Sequence, residues 1–319
     1  MGVNLDKPSR WKADIARSVD TYNKWFLRFA PVAFRETRIQ TTKEVRAALE
    51  TTKNLTDVSP SVLSGNPKIL ATLRMSTCPP LAVDRLIGLA GVSDRLVKSM
   101  EKEGRIPDGR AGGTLRAELR KIGDIIEHMA DPDIFVWLNR KDPPAELEVE
   151  RAATVVADRL CGSVANPIIR NAQEKRQLAA IKSWLETRGY RLAVGMGSPK
   201  FDSMAPGTFC FRMNVPVKLR GGRRVNIPVD AAVMRKTARK GKLPLLFEAK
   251  SAGDFANVNK RRKEEAAKMA QLRHTYGKAV RYCLFLCGYF DTGYLGYEAA
   301  EGIDWVWEHR IDELAKFRL

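Results

Sequence analysis

Apolar positions fall at helical spacing in the first half of the chain and at strand spacing in much of the second. Ile15, Val19, Tyr22, Trp25, Phe26 and Phe29 form a helical stripe over Asp14 to Phe29, with Pro31 predicted to end it. Thr42 opens a second capped helix through Leu49, and Cys78-Pro79-Pro80 is a break. Arg116 to Met129 is amphipathic, and Asp131-Pro132-Asp133 turns the chain. Lys141-Asp142-Pro143-Pro144 reads as a linker, followed by a helix from Ala145 to Cys161. Another helix, Pro167 to Arg188, carries Glu174, Gln177 and Trp184 and stops at Gly189. Strand-like runs then cover Phe209 to Arg220, Val225 to Arg235 and Leu243 to Ser251. A charged helix, Asn259 to Tyr276, and a buried strand, Tyr282 to Phe290, complete the pattern.

This order predicts a mostly helical domain over 1–145 and an α/β or α+β domain over 146–319, with helices against a mixed sheet. Within the first domain, Leu86 to Met100 resembles a helix-turn-helix, with Gly91 in the turn and Ser93 as cap. Val97 and Met100 would face inward. Asp94, Arg95, Lys98 and Ser99 would face a groove. An ordinary helical hairpin has the same pattern, and bulky Ile87 departs from the motif.

Polar residues on the apolar strands carry the candidate chemistry. Glu248 and Lys250 are two apart in Leu245 to Ser251, so they share a face. Thr237 to Lys242 reads as a hairpin loop, and folding the chain about Arg239 sets Asp230 opposite Glu248. Directly opposed residues have Cβ atoms about 5 Å apart. Two carboxylates that close repel unless a cation lies between them or one is protonated. A small set of hard oxygen ligands, completed by water and phosphate, suits Mg²⁺, with Mn²⁺ as a substitute. Lys250 would then orient a water or stabilise developing negative charge.

Composition narrows the partner. Lys and Arg number 55 against 37 acids in 319 residues, a net charge of +18, which calls for an anionic partner. Ten bases and one acid, Asp230, lie between Arg212 and Lys242, whereas Asp291 to Leu319 holds seven acids and three bases. The positive field therefore surrounds the carboxylates, as a polyanionic substrate requires. The cluster lies on strand and turn sequence, unlike a basic amphipathic membrane helix. No run of eighteen apolar residues exists, so no spanning helix is expected. Five cysteines without a CxxC, and only three histidines, argue against zinc. They also suggest a reduced, cytoplasmic setting, and the first eight residues lack the apolar core of a signal peptide.

The sequence of motifs, a helix with Glu174, a hairpin with Asp230, then Glu248-Ala249-Lys250 and a following helix, resembles the PD-(D/E)xK nuclease core. More closely, three stretches are similar to the XamI-type restriction endonucleases: Trp11 to Asp20, Ile168 to Gln177, and Phe247 to Phe255 continuing into Asn259 to Glu265. The resemblance implies a type II restriction endonuclease that hydrolyses double-stranded DNA at a specific, palindromic site with Mg²⁺. Such an enzyme is expected as a homodimer, because two-fold DNA needs two related active sites. A DNA methyltransferase of the same system is implied without being a physical partner. By position, Asp230 and Glu248 become metal ligands and Lys250 the catalytic lysine. Glu174 is either a fourth member of the site or a partner for a base on its own helix. Val229 intervenes between Pro228 and Asp230, a departure from a literal Pro-Asp pair.

Candidate DNA contacts are Asn257, Asn259, Lys260, Arg261, Arg262 and Lys263 after the active-site strand, with Arg223, Arg224, Arg235 and Lys236 around the hairpin and Arg95 and Lys98 in the helical half. Bases at a helix start oppose its dipole, a cost that approaching phosphates would offset, although a solvated helix face has the same composition. Two other readings share these features: a repair or mobile-element nuclease of the same core without strict sequence specificity, and a non-catalytic DNA-binding regulator. Intact Asp230, Glu248 and Lys250 argue against the regulator.

Overall fold

The computed structural model describes residues 2–109, 112–193, 201–219, 221–239, 241–255 and 258–319; within this set the side chains of 258–262 are not described. The chain forms two compact units, one of residues 30–169 and one of residues 1–29 with 170–319. Two long helices each have residues in both units.

Those helices are α1, Pro8–Thr51, and α7, Glu146–Thr187. Each replaces two shorter helices predicted from the sequence. Pro31 does not end α1, and Pro167 lies inside α7. A proline in a helix interior forfeits one hydrogen bond and costs about 3 kcal/mol. Positions on both sides of each proline are buried, Tyr22 and Val45 on α1 and Val156 and Leu185 on α7.

The 30–169 unit is helical. Between α1 and α7 lie α2 (Pro60–Gly65), α3 (Leu70–Met75), α4 (Val83–Ala90), α5 (Asp94–Glu103) and α6 (Gly112–Met129). Leu49, Leu63, Leu73, Leu86, Leu96, Ile122, Phe135 and Val156 share its core. α4 and α5 form the predicted hairpin, with Gly91 in the left-handed region (φ +59°) that an L side chain resists. Val97 and Met100 point inward as expected. Ser99 does not face a groove: it is buried, and its hydroxyl donates to the Arg105 carbonyl, 3.0 Å.

The other unit is built on a six-stranded mixed sheet, in order β1 (Arg191–Leu192), β2 (Thr208–Lys218), β3 (Arg224–Val233), β4 (Leu245–Ala252), β5 (Arg281–Gly288) and β6 (Asp304–Trp307). β2–β3 and β3–β4 are antiparallel; β1–β2, β4–β5 and β5–β6 are parallel. One face packs on Ile181, Trp184 and Leu185 of α7 and on Leu314 and Phe317 near the C-terminus. The other packs on Met269 and Leu272 of α8 (Val258–Tyr276) and on Tyr294 and Leu295 of α9 (Thr292–Ala300). β5 alternates between the two, with Leu284 and Leu286 toward α8 and Cys283 and Phe285 toward α7.

The alternation inverts once on β2 and once on β3, at the same place. On β2, Phe209 lies in the α7-side core, but Met213, Val215 and Val217 lie in the α8-side core. On β3, Ile227 and Val229 face α8, and Ala231 and Val233 face α7. The pairs Phe211–Ala231 and Met213–Val229 bracket Arg212 and Asp230 without adding a residue. Arg212 has φ +53°, a left-handed backbone that turns the strand over. The changeover therefore sits beside Asp230.

In the helical unit, the Arg74 guanidinium is buried and donates to Glu101, 2.8 Å, and to the Leu81 carbonyl. Removing one partner of a buried pair strands the other charge. Glu101→Ala is expected to destabilise the protein by about 3 kcal/mol, read by denaturant titration. A loss within the ordinary surface range would contradict this assignment.

Candidate active site

The β3–β4 register pairs Ala231 with Phe247, Ala232 with Leu246 and Val233 with Leu245. The next step of that register sets Asp230 against Glu248, as folding about Arg239 predicts. The regular ladder stops there, and Asp230 Oδ2 instead accepts a hydrogen bond from the Ala249 amide, 2.8 Å. Asp230 thus lies between Arg212 of β2 and Glu248 of β4.

Glu248 and Lys250 face α8, and two α8 side chains reach them. Lys268 Nζ is 2.6 Å from Glu248 Oε1 and also donates to the Pro228 carbonyl, 3.3 Å. Lys250 Nζ is 3.3 Å from the same Glu248 oxygen and 2.9 Å from Glu265 Oε1. Glu248 is 6% exposed and Glu265 is fully buried. The result is a chain of alternating charges, Lys268–Glu248–Lys250–Glu265, on an otherwise apolar sheet face. Glu248 Oε2 is buried and has no hydrogen-bond partner among the described residues.

Electrostatics follow from this crowding. Burial raises Asp230 to about 6, with the Glu248 charge adding to the rise and the Ala249 amide opposing it; Glu174 contributes a further upward push. Burial alone would lower the Lys250 ammonium, but Glu248 and Glu265 outweigh it and hold Lys250 above its ordinary value. Burial raises Glu265 despite Lys250. Behind it, buried Glu298 of α9 is pushed up to about 8, first by burial and then by the Glu265 charge.

Glu174 stands on α7 and pairs with Arg212, 3.1 Å, rather than with a base of its own helix. Gln177, one turn on, donates to the carbonyls of Lys250 (3.3 Å) and Phe285 (3.2 Å), which fixes α7 to the centre of the sheet.

A family model described as XamI restriction endonuclease matches residues 53–307. The type II restriction enzyme SalI of Streptomyces albus G is 53% identical over 312 residues, 98% of this chain and 98% of that enzyme. The chain belongs to the XamI restriction endonuclease family. It is a type II restriction endonuclease, a site-specific nuclease. A crystal structure of protein VC1899 from Vibrio cholerae aligns over 80% of this chain and 55% of that one, at 13% identity and a TM-score of 0.27, too slight a likeness to bear on the fold.

The XamI-family chain brings Asp230, Glu248 and Lys250 together, with Glu174 close enough to act on Asp230 electrostatically. The DNA-contact candidates are scattered. Arg223 and Arg224 are exposed at the β2–β3 tip, and Lys263 is exposed on α8. Arg235 is half-buried; Lys236 donates to the Arg188 carbonyl and lies 5.3 Å from the centre of the Tyr190 ring. Asn257 falls outside the described residues, as do the side chains of Asn259, Lys260, Arg261 and Arg262. Arg95 and Lys98 are exposed on α5 of the helical unit, where Lys98 pairs with Asp94, 3.1 Å. Among the described residues, no helix is long and apolar enough to cross a membrane.

Sequence reasoning gave no role to Glu265 or Lys268. Their signal was present: an acid and a base three apart on the helix after the Glu-x-Lys strand, close to the apolar positions Met269 and Leu272.

A raised carboxylate pKa is a stability statement. Folding binds a proton at Asp230 between the ordinary range near 4 and the folded value of about 6, so ionised Asp230 disfavours the fold above pH 6. Asp230→Asn is therefore expected to stabilise the metal-free protein by about 2 kcal/mol above pH 6, the gain fading as pH falls toward 4. Thermal melts in chelator across that range measure it; a destabilised variant at pH 7 would contradict the burial argument.

Proposed function

We propose that this XamI-family endonuclease hydrolyses phosphodiester bonds of double-stranded DNA at a palindromic site with Mg²⁺, using a PD-(D/E)xK core. The observation that carries the reading is the juxtaposition of Asp230 and Glu248 with Lys250, where a buried Glu248 oxygen has no hydrogen-bond partner among the described residues. An unsatisfied buried carboxylate oxygen is costly unless a cation completes it. The described residues form no cluster of three or more His, Cys, Asp or Glu suited to caging a metal. Two carboxylates, with water and DNA phosphate completing the shell, fit Mg²⁺ better than a cation held by protein alone.

Asp230 and Glu248 would hold the cation. When bound, it supplies a Lewis acid for the scissile phosphoryl group and a more acidic water. The protein contributes the rest. The Ala249 amide fixes the Asp230 carboxylate, so one oxygen is already oriented. Lys250, half-buried and charged, orients the attacking water or meets the negative charge that develops on the phosphoryl oxygens. Glu174 is the fourth member, positioned by Arg212 and able to reach the site through a water. Lys268, 2.6 Å from Glu248 Oε1, balances the Glu248 charge; with a cation held there that charge would be balanced twice, and the half-buried lysine would be free to turn to solvent.

The basic hairpin residues Arg223, Arg224, Arg235 and Lys236, with Asn257, Asn259, Lys260, Arg261, Arg262 and Lys263, would grip phosphates and bases. The helical half, with Arg95 and Lys98, would add DNA grip, dimer contacts or both, a division of labour between 1–145 and 146–319. A C₂ homodimer supplies two active sites for the two strands. The enzyme would act in the cytoplasm, beside a DNA methyltransferase that protects the host without binding it.

Plasmid and phage DNA incubated with the protein in Mg²⁺, Mn²⁺ or chelator test the reading. Discrete fragments sharing one terminus are expected with either metal and none with chelator, and Asp230→Ala should bind the same DNA uncut. Smeared products would favour a nuclease without sequence specificity. DNA retarded yet intact in both metals would overturn the assignment.

A further inference from the structure

The geometry points to Glu265 as a positioning residue for the reaction: it holds the Lys250 ammonium in place when Glu248 turns to the cation. This rests on the proposed role of Lys250.

Among the described residues, the Lys250 ammonium has two carboxylate partners, Glu248 Oε1 at 3.3 Å and Glu265 Oε1 at 2.9 Å. Glu248 is also the 2.6 Å partner of Lys268 and one of the two proposed metal ligands. A carboxylate committed to a divalent cation has less charge to offer a neighbouring lysine, and Lys250 would then lose its hold on that side. Lysine has four rotatable side-chain bonds and no fixed fork, so a lysine that must stay at one point needs a partner that stays.

Glu265 has the properties of that partner. It is fully buried, whereas the Lys268 side chain is 22% exposed and can leave for solvent. It projects from the middle of α8, where Met269 and Leu272 lock the helix onto the sheet. Among the described residues, neither Glu265 oxygen has an aligned hydrogen bond beyond the Lys250 ion pair. A buried acid so poorly satisfied destabilises the fold, and its cost is understandable if its charge is needed at Lys250. Position also matters: Glu265 and Lys268 sit three apart on α8 and face Lys250 and Glu248 two apart on β4. One helix face therefore supplies an opposite charge for each member of the strand pair, and only the Glu265 contact is independent of the metal ligands.

The test compares Glu265→Gln, Glu265→Asp and Lys250→Ala in the full-length protein, with three readouts: kcat against KM on plasmid, DNA binding in chelator, and the ¹⁵N signal of the Lys250 ammonium. Glu265→Gln is nearly isosteric and is expected to lower kcat about 100-fold, with KM and DNA binding unchanged. Its Lys250 ammonium signal should shift or be lost through faster exchange, and Glu265→Asp should recover part of kcat and of the signal. If Glu265→Gln fails to fold, Glu265→Asp carries the test: a smaller kcat loss and signal shift are expected, and a wild-type rate with an unmoved signal overturns the proposal. A folded Glu265→Gln protein that cuts at the wild-type rate with an unmoved Lys250 signal overturns the proposal while leaving Lys250 in its role. Normal cutting by Lys250→Ala would instead remove the role of Lys250 itself, and the proposal with it.

Discussion

A buried carboxylate on an apolar sheet face must be balanced by positive charge, and Glu248 is the residue on which that constraint falls. Its Oε1 is shared by Lys250 from its own strand and Lys268 from α8, while Oε2 stays unmatched among the described residues. Around it, Asp230 is drawn onto the Ala249 amide, and Lys250 reaches on to Glu265. Each of these groups is expensive alone in a low-dielectric setting; Glu248, Lys250 and Glu265 are offset by neighbours of opposite sign, and Asp230 by a backbone amide. The cluster costs stability to keep, a common feature of sites built for chemistry rather than for folding.

The fold is arranged to deliver these charges to one point. The parallel β4–β5 pair lies between α7 and α8, so most of β5 and the first half of β4 are buried, while Ala249, Lys250 and Ser251 keep partial exposure. Gln177 ties α7 to the Lys250 and Phe285 carbonyls, fixing the strand that carries the lysine. The reversal of facing at Arg212 and Asp230 lets the inner part of the β2–β3 hairpin be covered on both sides, while its outer part shows one face to solvent. A left-handed arginine is an unfavourable backbone state, and here its guanidinium meets Glu174 beside the carboxylates. Local strain and the proposed site coincide at this position.

Much of this was legible in the sequence, and what was not has physical causes. The β3–β4 register could be read from a polar loop and two strand-like runs, because strand alternation leaves few ways to pair them. The α4–α5 hairpin, α6, α8 and β5 were likewise plain from periodicity and glycine stops. The long helices α1 and α7 were not, since Pro31 and Pro167 carry a local stop signal that packing on either side outweighs. α9 and β6 are not legible, because Asp291 to Leu319 mixes acids with buried Trp305 and Trp307, a pattern without clean period. Ser99 was assigned outward from helical spacing alone, although a small hydroxyl can be buried by bonding a carbonyl. Glu265 and Lys268 lay in a run of charges that reads as a solvated face. Only the packing of α8 on the sheet separates those that turn inward.

The account stands most directly on where a divalent cation binds. Crystals of the protein with uncleavable duplex DNA, soaked in Mn²⁺ and measured for anomalous scattering, would locate it. A peak beside Asp230 and Glu248, with Lys268 moved off Glu248 and Lys250 still against Glu265, is the result expected. A strong peak elsewhere, with the Lys268–Glu248 pair intact beneath the DNA, would contradict the account.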